Sequence, residues 1–133
     1  MRIITIGDIG DKYQNAGEVR GRLEQEGYAI LSASTLSEVR VLMNTGRPDA
    51  IVANDGPDFP GAGILKKMSY ECAVAGIPIF VLSADGSQSR VNEATACGCL
   101  GFIVKPYNYL ELSIRLRNNI VFHEHVTNLG AGL

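Results

Sequence analysis

Pro48-Asp49-Ala50-Ile51-Val52-Ala53-Asn54-Asp55-Gly56 is the stretch on which the reading of this chain turns. Four apolar residues, Ala50 to Ala53, stand between Pro48 and the pair Gly56-Pro57. A run this short, bounded by turn residues, reads as a strand buried on both faces rather than as a helix. Such strands belong to parallel sheets covered by helices. In open sheets of that kind the crevice for ligands and partners lies beyond the carboxyl ends of the strands. Asn54 and Asp55 stand at that end, so chemistry is expected there.

Outward from this strand, the same punctuation recurs along the chain. Ile3-Ile4-Thr5-Ile6 is a β-rich run that stops at Gly7-Asp8, and a polar loop with Gly10, Asp11, Asn15 and Gly17 leads into a helix ending near Glu26-Gly27. Val19 and Leu23 give that helix its inward face, and Gly27 suits the C-cap. Tyr28 to Leu31 is a second strand. Ser34 or Thr35 caps the next helix, Glu38 is placed to complete a capping box, and Leu36, Val39, Leu42 and Met43 form its apolar stripe. Beyond the central strand, a Gly- and Pro-rich loop from Gly56 to Gly63 precedes a third helix around Ile64 to Met68. Ile77 to Leu82 is a fourth strand ending at Ser83, Asp85 to Ala96 a fourth helix with Val91 and Ala94 facing in, and Leu100 to Val104 a fifth strand ending at Lys105-Pro106. Asn108 caps a last helix carrying Leu110, Leu112, Ile114 and Leu116. Strands alternating with helices in this way make βαβ units, hence an α/β fold with a doubly wound parallel sheet and helices on both faces.

Length and composition agree with one domain. A chain of 133 residues removes roughly two-thirds of its unfolded surface from water on folding. Apolar residues are 46% of the total, charged residues 20%, and the net charge is −2, which gives no basic surface for nucleic acid. No run of apolar residues reaches membrane-spanning length, and Arg2 to Ile6 opens without a signal-peptide pattern, so a cytoplasmic protein is expected. Cys72, Cys97 and Cys99 are an odd number without framework spacing, which suits free thiols. Cys97-Gly98-Cys99 lacks the further ligands and the wider spacing of a zinc site, and His123 and His125 lie far along the chain.

The polar strand ends occur in a particular order: Asp8 after the first strand, Asn54-Asp55 after the third, Ser83 after the fourth, Lys105-Pro106 after the fifth. With Gly27-Tyr28, Arg47-Pro48-Asp49, the Pro78 to Ala84 strand and Gly98 followed by Phe102-Ile103-Val104-Lys105-Pro106, this order resembles the receiver domain of two-component response regulators. The resemblance spans about residues 1–122, leaving 123–133 as a C-terminal tail or helix extension. It implies the flavodoxin-like arrangement, five parallel strands in the order 2-1-3-4-5. It also implies an aspartate that accepts a phosphoryl group at the end of the third strand, beside Mg²⁺ held by carboxylates. Lys105 resembles the family's invariant lysine, Ser83 the hydroxyl that binds the phosphoryl group, and Phe102 the aromatic residue whose rotamer reports the state.

Two departures set this sequence apart. Family spacing places the phosphoacceptor six residues beyond Pro48, on Asn54, and an amide offers no anionic oxygen as nucleophile. The family's acidic pair falls on Gly7 and Asp8, so one of two metal-binding carboxylates is missing. The first loop is also about three residues longer than usual for the family, and Pro60-Gly61 displaces the loop after Asn54. Asp55 would take over from Asn54 only if a bulge shifted the strand by one residue. In that case Asp8, Asp55 and the Gly56 carbonyl are the candidate metal ligands, with Asp11 and Asp58 as further acidic loop residues. The expectation is therefore a pseudo-receiver, not an enzyme, that meets a histidine kinase, an output domain or a second copy of itself without aspartyl phosphorylation. Its alternative is a Mg²⁺-dependent phospho-acceptor using Asp55. A flavin or nucleotide site is disfavoured, because no dinucleotide fingerprint follows the first strand. The alternation of apolar and charged residues from Leu110 to Val126 predicts that the last helix runs past residue 120.

Overall fold

The structure is a computed structural model and describes residues 1–56, 59–60, 66–67 and 76–131. Its parallel strands are β1 (Arg2–Ile6), β2 (Ala29–Ala33), β3 (Ala50–Gly56), β5 (Ile79–Ser83) and β6 (Gly101–Val104), hydrogen-bonded in the order β2-β1-β3-β5-β6. Those five parallel strands form the expected flavodoxin-like sheet. The two-residue strand β4 (Phe59–Pro60) was not expected; it pairs antiparallel with the end of β3, Asp55 opposite Pro60 and Gly56 opposite Phe59. The loop after Asn54 thus begins by folding back on the strand. The third helix expected at Ile64 to Met68 falls mostly outside the described residues, of which Lys66 and Lys67 are helical.

Helices α1 (Ala16–Gln25), α2 (Leu36–Thr45), α3 (Gln88–Ala96) and α4 (Tyr109–Ala131) start where capping side chains stand. Asn15 Oδ1 accepts the Glu18 N–H at 2.8 Å, and Ser87 Oγ the Arg90 N–H at 3.3 Å. Thr35, not Ser34, is the N-cap of α2; Thr35 Oγ1 accepts the Glu38 N–H, while Glu38 Oε2 reaches one residue past the cap to accept the Ser34 N–H, a variant of the capping box expected. Gly27, at φ 99°, lets the chain leave α1 through the left-handed region that glycine enters without cost. Helix α3 begins three residues later than the sequence suggested, because the Asp85 carboxylate caps the Ser87 N–H in a turn ahead of the helix.

Strand alternation sorts the core into two layers. Ile3, Ala50, Val52, Phe80, Leu82 and Ile103 face α1 and α4 and pack with Val19, Leu23, Leu112 and Leu116. Ile4, Ile6, Ile51, Ala53, Ile79 and Val81 face α2 and α3 and pack with Val39 and Ala94. The same parity continues to the strand ends and decides which face each polar residue meets. Helix α4 continues to Ala131, with Ile120 buried against the first layer. No helix among the described residues is long and apolar enough to cross a membrane.

Candidate functional site

Asn54 follows Ala50 and Val52 on the α1–α4 face, and Lys105 follows Ile103 on the same face. The two meet: Lys105 Nζ donates to Asn54 Oδ1 at 2.5 Å and to the Asp8 carbonyl at 3.2 Å. Asn54 is almost fully buried. Burial lowers the pKa of the Lys105 ammonium, against a smaller upward pull from the Asp8 and Asp11 charges. An ammonium bonded to an amide and a carbonyl gains two dipoles but no counter-charge there.

The Asp8 carboxylate is turned into its own loop, where Oδ1 accepts the Gly10 N–H at 2.8 Å. Gly10 must be glycine, since a Cβ there would lie 2.6 Å from the Ala16 nitrogen and the Gln14 carbonyl oxygen. Asp11, considered from the sequence as a crevice carboxylate, serves as an anchor. Its Oδ1 accepts the Tyr13 and Gln14 N–H groups, and its Oδ2 accepts the Tyr107 N–H at 3.1 Å. Burial by itself would raise the Asp11 pKa, but those backbone N–H groups outweigh it and hold the carboxyl below its ordinary value. Gln14 Nε2 adds a bond to the Tyr107 carbonyl, so the long first loop is stitched to the segment following Lys105. Asp58 lies outside the described residues.

Asp55 sits on the other face. The register of β3 against β5 runs without interruption, Asn54 opposite Leu82 and Asp55 opposite Ser83, so the bulge that would bring Asp55 beside Lys105 is absent. Asp55 is 1% exposed and is gripped by the Arg90 guanidinium, Nε to Oδ2 at 2.6 Å and Nη2 to Oδ1 at 2.5 Å. Ser83 Oγ stands 3.3 Å from Asp55 Oδ2 and accepts the Asp85 N–H, so this hydroxyl also belongs to the Asp55 side of the sheet. Phe102 shares that face, half-buried against the α2–α3 layer.

The sequence reading missed Arg90. A signal existed: a cation in the first turn of a helix opposes the helix dipole and needs a specific partner to sit there. Its partner is 35 residues earlier in the chain, beyond the reach of any local pattern.

The donors can be tested against the divalent cation that the resemblance implies. Gly7 offers no carboxylate, Asp8 is committed to Gly10, Asn54 faces an ammonium, and Asp55, with Gly56 drawn into the pairing with β4, is committed to Arg90. Among the described residues no group of three His, Cys, Asp or Glu side chains is arranged to hold a metal ion. These residues do not fit a hard cation that asks for several anionic oxygens at once.

Comparison with known proteins follows the fold. The family model for the response regulator receiver domain matches residues 8–117. The KDP operon transcriptional regulatory protein of Escherichia coli (strain K12) is 31% identical over 110 residues, covering 82% of this chain and 48% of that protein. A probable transcriptional regulator of Guillardia theta, ycf27, is 27% identical over 116 residues, covering 82% and 44%. The chain therefore spans about half the length of the curated relatives it matches. Among solved structures, the receiver domain of Francisella response regulator 1452 superposes with a TM-score of 0.72 at 23% identity, covering 94% of this chain and 98% of that one. The receiver domain of a Pseudomonas aeruginosa sensor histidine kinase, solved with magnesium in its active site cleft, gives 0.70 at 20% identity, covering 90% and 96%. At these identities the structural likeness is one of fold.

Proposed function

This chain belongs to the response regulator receiver domain family, and from that premise we propose that it works as a pseudo-receiver, a signalling module that engages protein partners without taking up phosphate on an aspartate. The observation that carries the reading is the 2.5 Å bond from Lys105 to the amide of Asn54, at the position where the family places its acceptor carboxylate. Phosphoryl transfer asks a protein for an oxygen nucleophile in line with the phosphorus and for positive charge on the transferring oxygens. Lys105 retains the charge, but the amide cannot form an acyl phosphate. The nearest carboxylate in sequence, Asp55, is held on the opposite face by two hydrogen bonds from Arg90.

Within this reading Lys105 has a structural part. Its ammonium ties the end of β6 to the end of β3 and to the first loop, holding the crevice in one arrangement. Partners are then a histidine kinase, an output domain or a second copy, recognised by surface shape and not by a phosphorylation state. No divalent cation is needed, and its affinity is expected to be weak because the donor set lacks paired carboxylates.

The test is incubation with acetyl phosphate and Mg²⁺, followed by intact mass. The wild-type mass is expected to stay unchanged. The double variant Gly7→Asp with Asn54→Asp is expected to gain Mg²⁺ binding and an acid-labile adduct of one phosphoryl group at position 54. Borohydride reduction of an acyl phosphate on wild-type Asp55, releasing phosphate and leaving homoserine at position 55, would overturn the proposal.

A further inference from the structure

The ion pair on the α2–α3 face is not accounted for by the pseudo-receiver reading, and it stands independently of whether position 54 accepts phosphate. Among the described residues, helix α3 has few apolar attachments. Ala94 is its one buried residue, Val91 is half-buried, and Cys97 adds contact just beyond its end. Burial of so few methyl groups offsets only part of what a helix of 9 residues costs in backbone order. Arg90 supplies the missing attachment, with both partners of a planar fork seated on a carboxylate that has no access to water.

We propose that Asp55 and Arg90 form a conformational latch that fixes the position of α3, and with it the Ser83 hydroxyl, independently of the Lys105–Asn54 pair. Three features support this. The pair is bidentate and short, so both rotation and translation of Arg90 are restrained. Asp55 also draws Ser83 Oγ to its side at 3.3 Å, and Ser83 in turn caps the Asp85 N–H that begins the turn leading into α3. The third guanidinium nitrogen, Nη1, bonds Glu93 one turn further along α3 at 2.9 Å, so the charge at the latch is passed into the helix itself. Strand end, turn and helix are thereby closed into one hydrogen-bonded loop. Opening the latch would free α3 and Ser83 together.

Site-resolved hydrogen exchange, on full-length protein without phosphodonor, reads this directly. In Arg90→Gln the amides of residues 88–96 are expected to exchange roughly ten- to a hundredfold faster than in wild type. Arg90→Lys, which keeps the charge but not the fork, is expected to fall between the two. In Lys105→Ala the α3 amides are expected to keep their wild-type rates. No acceleration of α3 in Arg90→Gln, or an equal acceleration of α3 in Lys105→Ala, would overturn the latch. Should Arg90→Gln fail to fold, Arg90→Lys decides by the same comparison with Lys105→Ala. None of these measurements involves phosphate, so their failure leaves the pseudo-receiver reading untouched; an unchanged mass in the phosphodonor experiment leaves the latch untouched, and phosphate on Asp55 would count against both.

Discussion

Asn54 and Asp55 are neighbours in sequence, and their surroundings are opposites. Asn54 is neutral and meets a half-buried ammonium that has no direct anionic partner among the described residues. Asp55 is a carboxylate buried to 1% and meets a guanidinium that neutralises it at two points. Had the two side chains been exchanged, Lys105 would have found a counter-charge and Arg90 would have faced an amide. The difference teaches that an amide at position 54 does not remove charge from the carboxyl edge. One residue of pleat moves that charge to the other layer, where it does a different job.

The comparison breaks hardest at Arg90. Removing it by Arg90→Ala strands Asp55 where water cannot reach, and urea unfolding is expected to show a loss of about 2–3 kcal/mol, at or just below the bottom of the range for a broken buried pair because Arg90 itself is partly exposed. A loss under half a kilocalorie would mean that Asp55 finds water or another donor.

A second carboxylate, Glu26, sharpens the contrast on the α1–α4 face. It ends α1 and is bonded by the Tyr109 hydroxyl, by Ser113 Oγ at 2.9 Å and by Arg117 at 3.0 Å, while Arg22 lies 4.0 Å above the Tyr109 ring. Burial by itself would raise the Glu26 pKa; the Tyr109 and Ser113 hydrogen bonds and the Arg117 charge outweigh it and hold the carboxyl below its ordinary value. A depressed carboxyl stabilises the fold above its unfolded pKa, and that contribution disappears as pH falls through the folded one. Glu26→Gln is accordingly expected to cost about 1 kcal/mol at pH 7 and to narrow the gap to wild type as pH is lowered toward 3, followed by denaturant midpoints. A gap that widens on acidification would contradict the sign.

The smallest effect is expected at the crevice. Lys105→Ala removes a hydrogen bond to a nearly buried amide but also relieves a charge that burial disfavours, so the net cost should be about 1 kcal/mol or less. The linkage adds a pH signature. A lysine whose folded pKa is depressed binds fewer protons folded than unfolded between the two values, so stability there rises with pH in wild type and should lose that rise in Lys105→Ala. The buried hydroxyls of Tyr107 and Tyr109, raised mainly by burial, act in the opposite direction. Their stabilisation is complete below the unfolded tyrosine pKa of about 10 and fades above it as pH climbs toward the folded values, so the Lys105 signature should be sought below that point.

The layered fold was legible because it rests on local signals: short apolar strands, caps such as Thr35 with Glu38, and helix stops such as Gly27. The meeting of Asn54 with Lys105 was legible too, since strand parity carries both to one face. Asp55 was not. Whether a polar residue at a strand end turns in, bulges or pairs depends on what the facing helix offers, and Arg90 is brought there by tertiary packing alone. Strand β4 escaped for a related reason, because Phe59-Pro60 has no strand pattern and is recognisable only by its antiparallel pairing with Asp55 and Gly56.

Helix α4 carries one more consequence. It buries Ile120 and continues to Ala131, and the 121–131 stretch contains Val121, Val126, Thr127 and Gly130, none of them strong helix formers. A free peptide of that length would be marginal as a helix, because starting the first turn is the unfavourable step. Continuing from a turn already formed needs only propagation. Residues 109–120, pinned through Tyr109 and Ser113 to Glu26, are thus the nucleus from which the outer turns grow. Loosening that anchorage should unzip the outer turns first, making their helicity a gauge of how firmly α4 is seated.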